Sequence, residues 1–129
     1  MNLSTILNER VGISIGRLPT HTVFALRGDM DHTTAPALRE RLLIALHHVK
    51  TPVVIDLSRV SVCDASGMAL LVDLRRRAGL HGIRTSLAAP QPHVGELLRV
   101  TGLHRAFTIH STLAAARLDR RVTARTAVA

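Results

Sequence analysis

The spacing of hydrophobic residues changes several times along the chain, which predicts short strands alternating with helices. Near the start, Ile13 and Ile15 alternate with small residues, and this period of two predicts a strand. A second apolar run covers 22–26, and the turn residues at 18–21 lie between the two runs. We therefore expect a β-hairpin, with its second strand ending at Gly28.

After the hairpin, helical and strand patterns follow one another. Leu38, Leu42 and Leu46 share one helical stripe, and the helix is expected to begin at Thr34 as N-cap and to reach about Val49. Further strands are predicted at 53–57, 85–88 and 107–109, and further helices at 64–78, 94–101 and 112–121. The order β-β-α-β-α-β-α-β-α predicts an α/β domain with a mixed, mostly parallel sheet of about five strands and about four helices. We place this single domain at 11–121, between an N-terminal segment 1–10 and a basic C-terminal tail 122–129.

The composition favours a soluble protein with an aliphatic core. Hydrophobic residues make up 47% of the 129 residues, whereas aromatic residues make up only 2%. Cys63 is the single cysteine and cannot form an internal disulfide. No signal peptide and no membrane-length apolar run is recognisable, so we expect a cytoplasmic protein without membrane insertion.

The charge of the chain is strongly basic but unevenly distributed. The formal net charge is +8, and several arginines lie in the last stretch, where a solvated terminus explains them. A second group of arginines, at 75–77, raises the question of whether the protein binds nucleic acid. With few aromatic side chains for stacking and no recognition motif, we expect no direct nucleic-acid binding.

The segment 64–67 lies where a predicted strand ends and a helix begins, which is where functional groups collect in such sheets. At about 100° per residue, Gly67 faces the core, and Ser66 borders an outer face. That outer face is predicted to carry Met68, Ala69, Val72 and Arg76. A phosphoryl group on Ser66 would add about −1.5 to −2 charges beside Asp64, where free N–H groups and the helix dipole would tolerate it. We therefore hypothesise a reversible switch of an interface.

Three segments, 26–35, 54–67 and 100–103, resemble the motifs of STAS-domain anti-sigma factor antagonists in the same order and spacing. The resemblance implies a bacterial, cytoplasmic phosphoprotein that regulates transcription in stress response or sporulation. In this family the unphosphorylated antagonist binds an anti-sigma factor, a Ser/Thr kinase that uses ATP, and thereby frees the sigma factor. Phosphorylation ends the binding, and a phosphatase restores it.

The same resemblance assigns roles to residues of this chain. Ser66 is the implied phosphorylation site, and Asp64, Ala65 and Gly67 form the loop around it. The expected partner-binding residues are Asp29, Asp31, Met68, Ala69, Val72 and Arg76. Ala65 stands where many family members have serine, so Ser66 is the one hydroxyl of the motif.

Other functions remain open alternatives. The main one is a stand-alone STAS subunit docked on the ATPase of a phospholipid-trafficking transporter, with Met68 and Val72 as a permanent docking face. An enzyme using Ser66, His32 and Asp31 is disfavoured because no G-x-S-x-G turn is present. The scattered histidines lack metal-ligand spacing, so we expect no metal and no cofactor.

Overall fold

The computed structural model describes residues 10–120 and the backbone of 2–6. Its strands are β1 (Asn2–Ile6), β2 (Val11–Arg17), β3 (Thr22–Met30), β4 (Val53–Cys63), β5 (Thr85–Ala88) and β6 (Thr108–His110). Its helices are α1 (Ala35–Leu46), α2 (Ala65–Leu80), α3 (Pro92–Val100) and α4 (Leu113–Leu118), with a 3₁₀ turn at Leu103–Arg105. The predicted tail 122–129 lies outside the described residues.

The strands form one sheet in the order β1-β2-β3-β4-β5-β6. Neighbours from β1 to β3 are antiparallel, and neighbours from β3 to β6 are parallel. This confirms the predicted α/β class and the mixed, mostly parallel sheet, whose five expected strands are β2 to β6. The sheet also takes in β1 from the segment 1–10, which the sequence analysis did not predict as a strand.

Two predicted boundaries near the hairpin and the central strand are wrong. β3 continues through Gly28 to Met30 because Gly28 adopts a φ of 93°, and a register shift follows it. A Cβ at this glycine would lie 1.8 Å from the carbonyl oxygen of Arg10, so the close approach of the two strands requires glycine. β4 likewise runs on to Cys63, so both strands end beside the start of α2.

The helices cover both faces of the sheet. Hydrophobic side chains from the sheet, α1, α2 and α3 form the main core, whose largest fully buried members include Phe24, Leu38, Leu42, Ile55, Leu57, Leu71, Leu87 and Leu98. On the other face, Val54 and Ala88 pack with Ala116 of α4. α1 and α4 end earlier than predicted, at Leu46 and Leu118. Packing therefore fixes α2 between the sheet and solvent, with its first turn at the ends of β3 and β4.

Candidate functional site

Asp64 organises the connection between β4 and α2. As N-cap of α2, its Oδ1 accepts hydrogen bonds from the backbone N–H groups of Ser66 at 2.8 Å and Gly67 at 3.1 Å. Its Oδ2 accepts the N–H of His32 at 3.2 Å. In addition, the N–H of Asp64 donates to the carbonyl oxygen of Met30 at 3.1 Å. The loop after β3 and the loop after β4 are therefore joined through one residue.

Gly67 lets the first turn of α2 lie directly against these strand ends. A Cβ at this position would come within 2.7 Å of both Cys63 Sγ and the carbonyl oxygen of Met30. The inward orientation predicted for Gly67 is therefore confirmed. Burial also raises the pKa of the Cys63 thiol to about 11, with a smaller contribution from the charge of Asp64, so Cys63 stays protonated at neutral pH.

Ser66 is half-buried and lines a groove between α1 and α2 of about 520 Å³. The groove is formed by His32, Ala35, Pro36, Arg39, Ser66, Ala69, Leu70 and Asp73. The Ser66 hydroxyl forms no hydrogen bond with residues 10–120. The hydroxyl that is predicted to be phosphorylated therefore lies at an open surface and is not held by a hydrogen bond to the interior.

Charged side chains cross one side of the groove. Oδ2 of Asp73 accepts a hydrogen bond from Nε of Arg39 at 2.6 Å, and its Oδ1 accepts one from Arg76 at 3.0 Å. Burial alone would raise the pKa of Asp73, but the hydrogen bonds from Arg76 and Arg39 lower it below its ordinary value. The groove thus has a fixed carboxylate between two guanidinium groups, on the side next to Ser66.

The acidic residues at the end of β3 and at the start of the β3–α1 loop are held by a basic residue from before β2. Arg10 forms ion pairs with Asp31 and, at 3.4 Å, with Asp29. The Thr33 hydroxyl, followed by Arg10 and the loop amides, holds the pKa of Asp31 well below its usual range. Thr34 occupies the N-cap position of α1, but its hydroxyl donates to the carbonyl oxygen of Asp29 at 2.6 Å and does not cap the helix. Asp31 therefore has a structural role in the loop.

The prediction that Met68 lies on the outer face is wrong. Its exposure is 4%, and it belongs to the main core. On an ideal helix Met68 borders the buried stripe, and the close seating of the first turn at Gly67 carries it into the interior. Ala69, Val72 and Arg76 are exposed as predicted, with Val72 at 40%.

The expectation of free N–H groups at the start of α2 is also wrong. The amides of Ser66 and Gly67 are already bonded to the carboxylate of Asp64, and the amide of Met68 donates to its carbonyl oxygen at 3.0 Å. The helix dipole still favours an anion here. Because these three donors are already bonded, a phosphoryl group on Ser66 would nevertheless lie beside the Asp64 carboxylate and not beside free N–H groups.

Arg39 and Asp73 of the groove were not predicted from the sequence, and neither was Arg10, which lies outside the groove and pairs with Asp31. Arg39 and Asp73 lie on different helices, and Arg10 and Asp31 lie on opposite sides of the hairpin in sequence, so no local spacing reveals either pair. Among the described residues, no group of three or more His, Cys, Asp or Glu side chains could hold a metal ion. No helix in the same part of the chain is long and apolar enough to span a bilayer.

Comparisons with known proteins show which family has this architecture. The family model of the STAS domain matches residues 13–116. An anti-sigma-factor antagonist (STAS) domain protein from Planctomyces limnophilus has 24% sequence identity, covers 82% of this chain and 95% of its own, and gives a TM-score of 0.71. The phosphorylated form of SpoIIAA, the Bacillus cell fate determinant, has 21% identity, 81% and 96% coverage, and a TM-score of 0.63. A sulfate transporter family protein from Wolinella succinogenes has 19% identity, 71% and 77% coverage, and a TM-score of 0.60.

Proposed function

The chain belongs to the STAS domain family, and on that premise we propose that it is an anti-sigma factor antagonist controlled by phosphorylation of Ser66. Unphosphorylated, it binds an anti-sigma factor Ser/Thr kinase and so releases the sigma factor. The kinase transfers the γ-phosphoryl group of ATP to the Ser66 oxygen, whose proton is released, and ADP leaves. A phosphatase hydrolyses the ester and restores binding. The protein is thus a regulated binding module and not an enzyme.

The observation that carries this proposal is the unbonded Ser66 hydroxyl at the edge of an open groove. A kinase can reach this oxygen without breaking an internal hydrogen bond. The neighbouring backbone is held firmly, because the Asp64 carboxylate accepts hydrogen bonds from the amide of His32 in the loop after β3 and from the amides of Ser66 and Gly67 in the first turn of α2. The hydroxyl is therefore presented from a fixed position.

Electrostatics explains how the added group would end binding. Phosphoserine would stand beside the Asp64 carboxylate, and Asp73, which lies further along α2, lines the same groove. Arg39 is the one arginine among the residues that line that groove, but Asp73 already engages its Nε. A partner covering the site would have to desolvate several negative charges with few cations available, which is costly.

The partner surface follows from the exposed residues around Ser66. Ala69 and Val72 continue the groove along α2 as an apolar strip, with Arg76 beyond them. Asp29, which is 35% exposed at its side chain, extends the surface toward the β3–α1 loop. Asp31, at 15%, contributes mainly by holding that loop, and Met68 contributes only as core.

The proposal is tested with purified protein, ATP and the anti-sigma factor kinases of the same organism. Mass spectrometry should locate one phosphoryl group on Ser66, and Ser66→Ala should take up none. Ser61→Ala is the matched control, because Ser61 is exposed on β4 nearby and should not affect phosphorylation. In a pull-down, Ser66→Ala should retain the kinase and Ser66→Asp should lose it.

A second variant tests the surface independently of the modification. Val72→Glu should weaken kinase binding while leaving the fold intact, because Val72 is largely exposed. Equal binding by Ser66→Ala and Ser66→Asp would contradict the switch. If those two variants instead bound a transporter ATPase equally well, and Val72→Glu did not, the docked-subunit alternative would replace the proposal.

A further inference from the structure

A second cavity, of about 460 Å³, lies at the other end of α2, where β5 and β6 begin. It is lined by Arg75, Arg76, Gly79, Ile83, Arg84, Thr85, Ser86, Ala106 and Thr108. Ser66 and Gly79 are thirteen positions apart in α2, which corresponds to about 20 Å at ~1.5 Å per residue. The cavity is therefore separate from the groove that contains Ser66, and among the residues that line it Arg76 alone also belongs to the proposed partner surface.

The lining is positively charged. Arg75 and Arg76 of α2 and Arg84 of the loop before β5 converge on the cavity, and none of the residues that line it carries a carboxylate. Arg76 is paired with Asp73, which lies on the side of the Ser66 groove. Converging guanidinium groups in a concave site attract anions, and planar guanidinium suits the paired oxygens of a phosphate.

Two features make the site more than a basic surface. The guanidinium of Arg75 lies over the ring of Phe107, 5.9 Å from its centroid, and this ring is buried, so the cation has a fixed support. Thr85 has a buried hydroxyl oxygen without a hydrogen-bond partner in the described part of the chain. A buried hydroxyl in this state is unfavourable, and a turn of the Thr85 side chain toward the cavity would let the hydroxyl donate to an occupant.

From these observations we infer that this cavity binds a small phosphorylated metabolite. Its volume is within the range of small-molecule sites and is far larger than one inorganic phosphate needs. The phosphoryl oxygens would accept hydrogen bonds from Arg75, Arg84 and Thr85. The open space beside Gly79, where a Cβ would have no heavy atom within 4 Å, leaves room for the organic part.

The inference is tested by isothermal titration calorimetry of the full chain at an ionic strength of about 0.15 M, where weak surface attraction is screened. The probes are inorganic phosphate, pyrophosphate and ribose 5-phosphate. Arg75→Gln should weaken binding of at least one probe by about tenfold or more, because it removes a charge-assisted hydrogen bond. Arg77→Gln is the matched control, because Arg77 is exposed on the same helix and lines a different depression.

Thr85→Val separates binding from folding. It removes an unpartnered hydroxyl with little change in shape, so the melting temperature should hold or rise while the affinity falls several-fold. Tighter binding of ribose 5-phosphate than of the inorganic probes would identify an ester as the ligand class, and the reverse order would identify a free phosphate. No binding of any probe, or equal weakening by Arg75→Gln and Arg77→Gln, would overturn the inference. So would binding of duplex DNA alone.

Discussion

The backbone N–H of His32 donates a hydrogen bond to Oδ2 of Asp64 across 3.2 Å, joining two loops that are far apart in sequence. The same carboxylate caps α2 through Ser66 and Gly67. Asp64 therefore stabilises both the start of a helix and the contact between two strand ends. A residue of this kind should affect stability before any partner is present.

We expect Asp64→Ala to lower the free energy of unfolding by about 1–2 kcal/mol, the usual effect of losing an N-cap. Urea denaturation followed by circular dichroism measures this. Asp64→Asn should lose less stability, because the single side-chain oxygen of asparagine can still accept hydrogen bonds on one side of the residue. The control is Asp56→Ala, since the Asp56 side chain bonds only the amide of Ser58, at 3.0 Å, among the described residues. Equal stability of Asp64→Ala and the wild type would contradict the capping role.

Gly67→Ala should destabilise the protein by about 1–3 kcal/mol, because its methyl group would collide with backbone as well as side chain. Adding Cys63→Ala should restore only part of the loss, since it removes the contact with Sγ but leaves the carbonyl oxygen of Met30. Gly79→Ala makes the same change in the same helix where space is open, so its stability should stay the same or rise slightly. Thermal melts of the three variants, compared with the wild type, distinguish a steric requirement at Gly67 from a general effect of replacing glycine in α2.

Truncating Met68 and Val72 to alanine should distinguish a core position from a surface position on the same helix by the loss of stability. Met68→Ala should cost about 2–5 kcal/mol, as expected for truncating a side chain that is 4% exposed. Val72→Ala, at 40% exposure, should stay within about 0.5 kcal/mol. Guanidinium denaturation of both variants measures the difference. A mild effect of Met68→Ala would show that its side chain leaves the core in solution.

The contrast between Met68 and Gly67 shows how far the sequence predicts this site. Helical periodicity correctly placed Gly67 inward and Val72 outward, because each lies well inside its arc. Met68 lies at the border of the arcs, and its burial depends on how closely the first turn approaches β3, which is a tertiary contact. The order of strands and helices from β2 to α4 was predictable for a related reason, since it depends on local periodicity alone.

The charged residues of the groove illustrate the opposite case. Arg39 and Asp73 are 34 positions apart and meet only because α1 and α2 pack side by side. The same holds for Arg10 and Asp31, which are 21 positions apart. Neither pair has a local spacing to mark it, so the electrostatics around Ser66 required the structure.

His21 should make the stability of the domain depend on pH. It is 5% exposed, and burial, followed by the charge of Arg117, lowers its pKa below the ordinary value of 6.5. Its Nδ1 lies 3.0 Å from the Thr20 hydroxyl, whereas its Nε2 has no partner in the described chain. The folded protein therefore binds this proton less readily than the unfolded chain does.

Because the unfolded chain takes up the proton first, stability should be full above about pH 7 and should fall as the pH drops below 6.5. Urea denaturation at about pH 8 and about pH 5.5 measures the loss. His21→Gln cannot take up a proton, so the difference between the two conditions should shrink in this variant. His47→Gln, which removes an exposed histidine from the end of α1, should leave the difference as it is in the wild type. If His21→Gln kept the full pH dependence, other groups would be responsible and His21 would be an ordinary neutral residue of the interior.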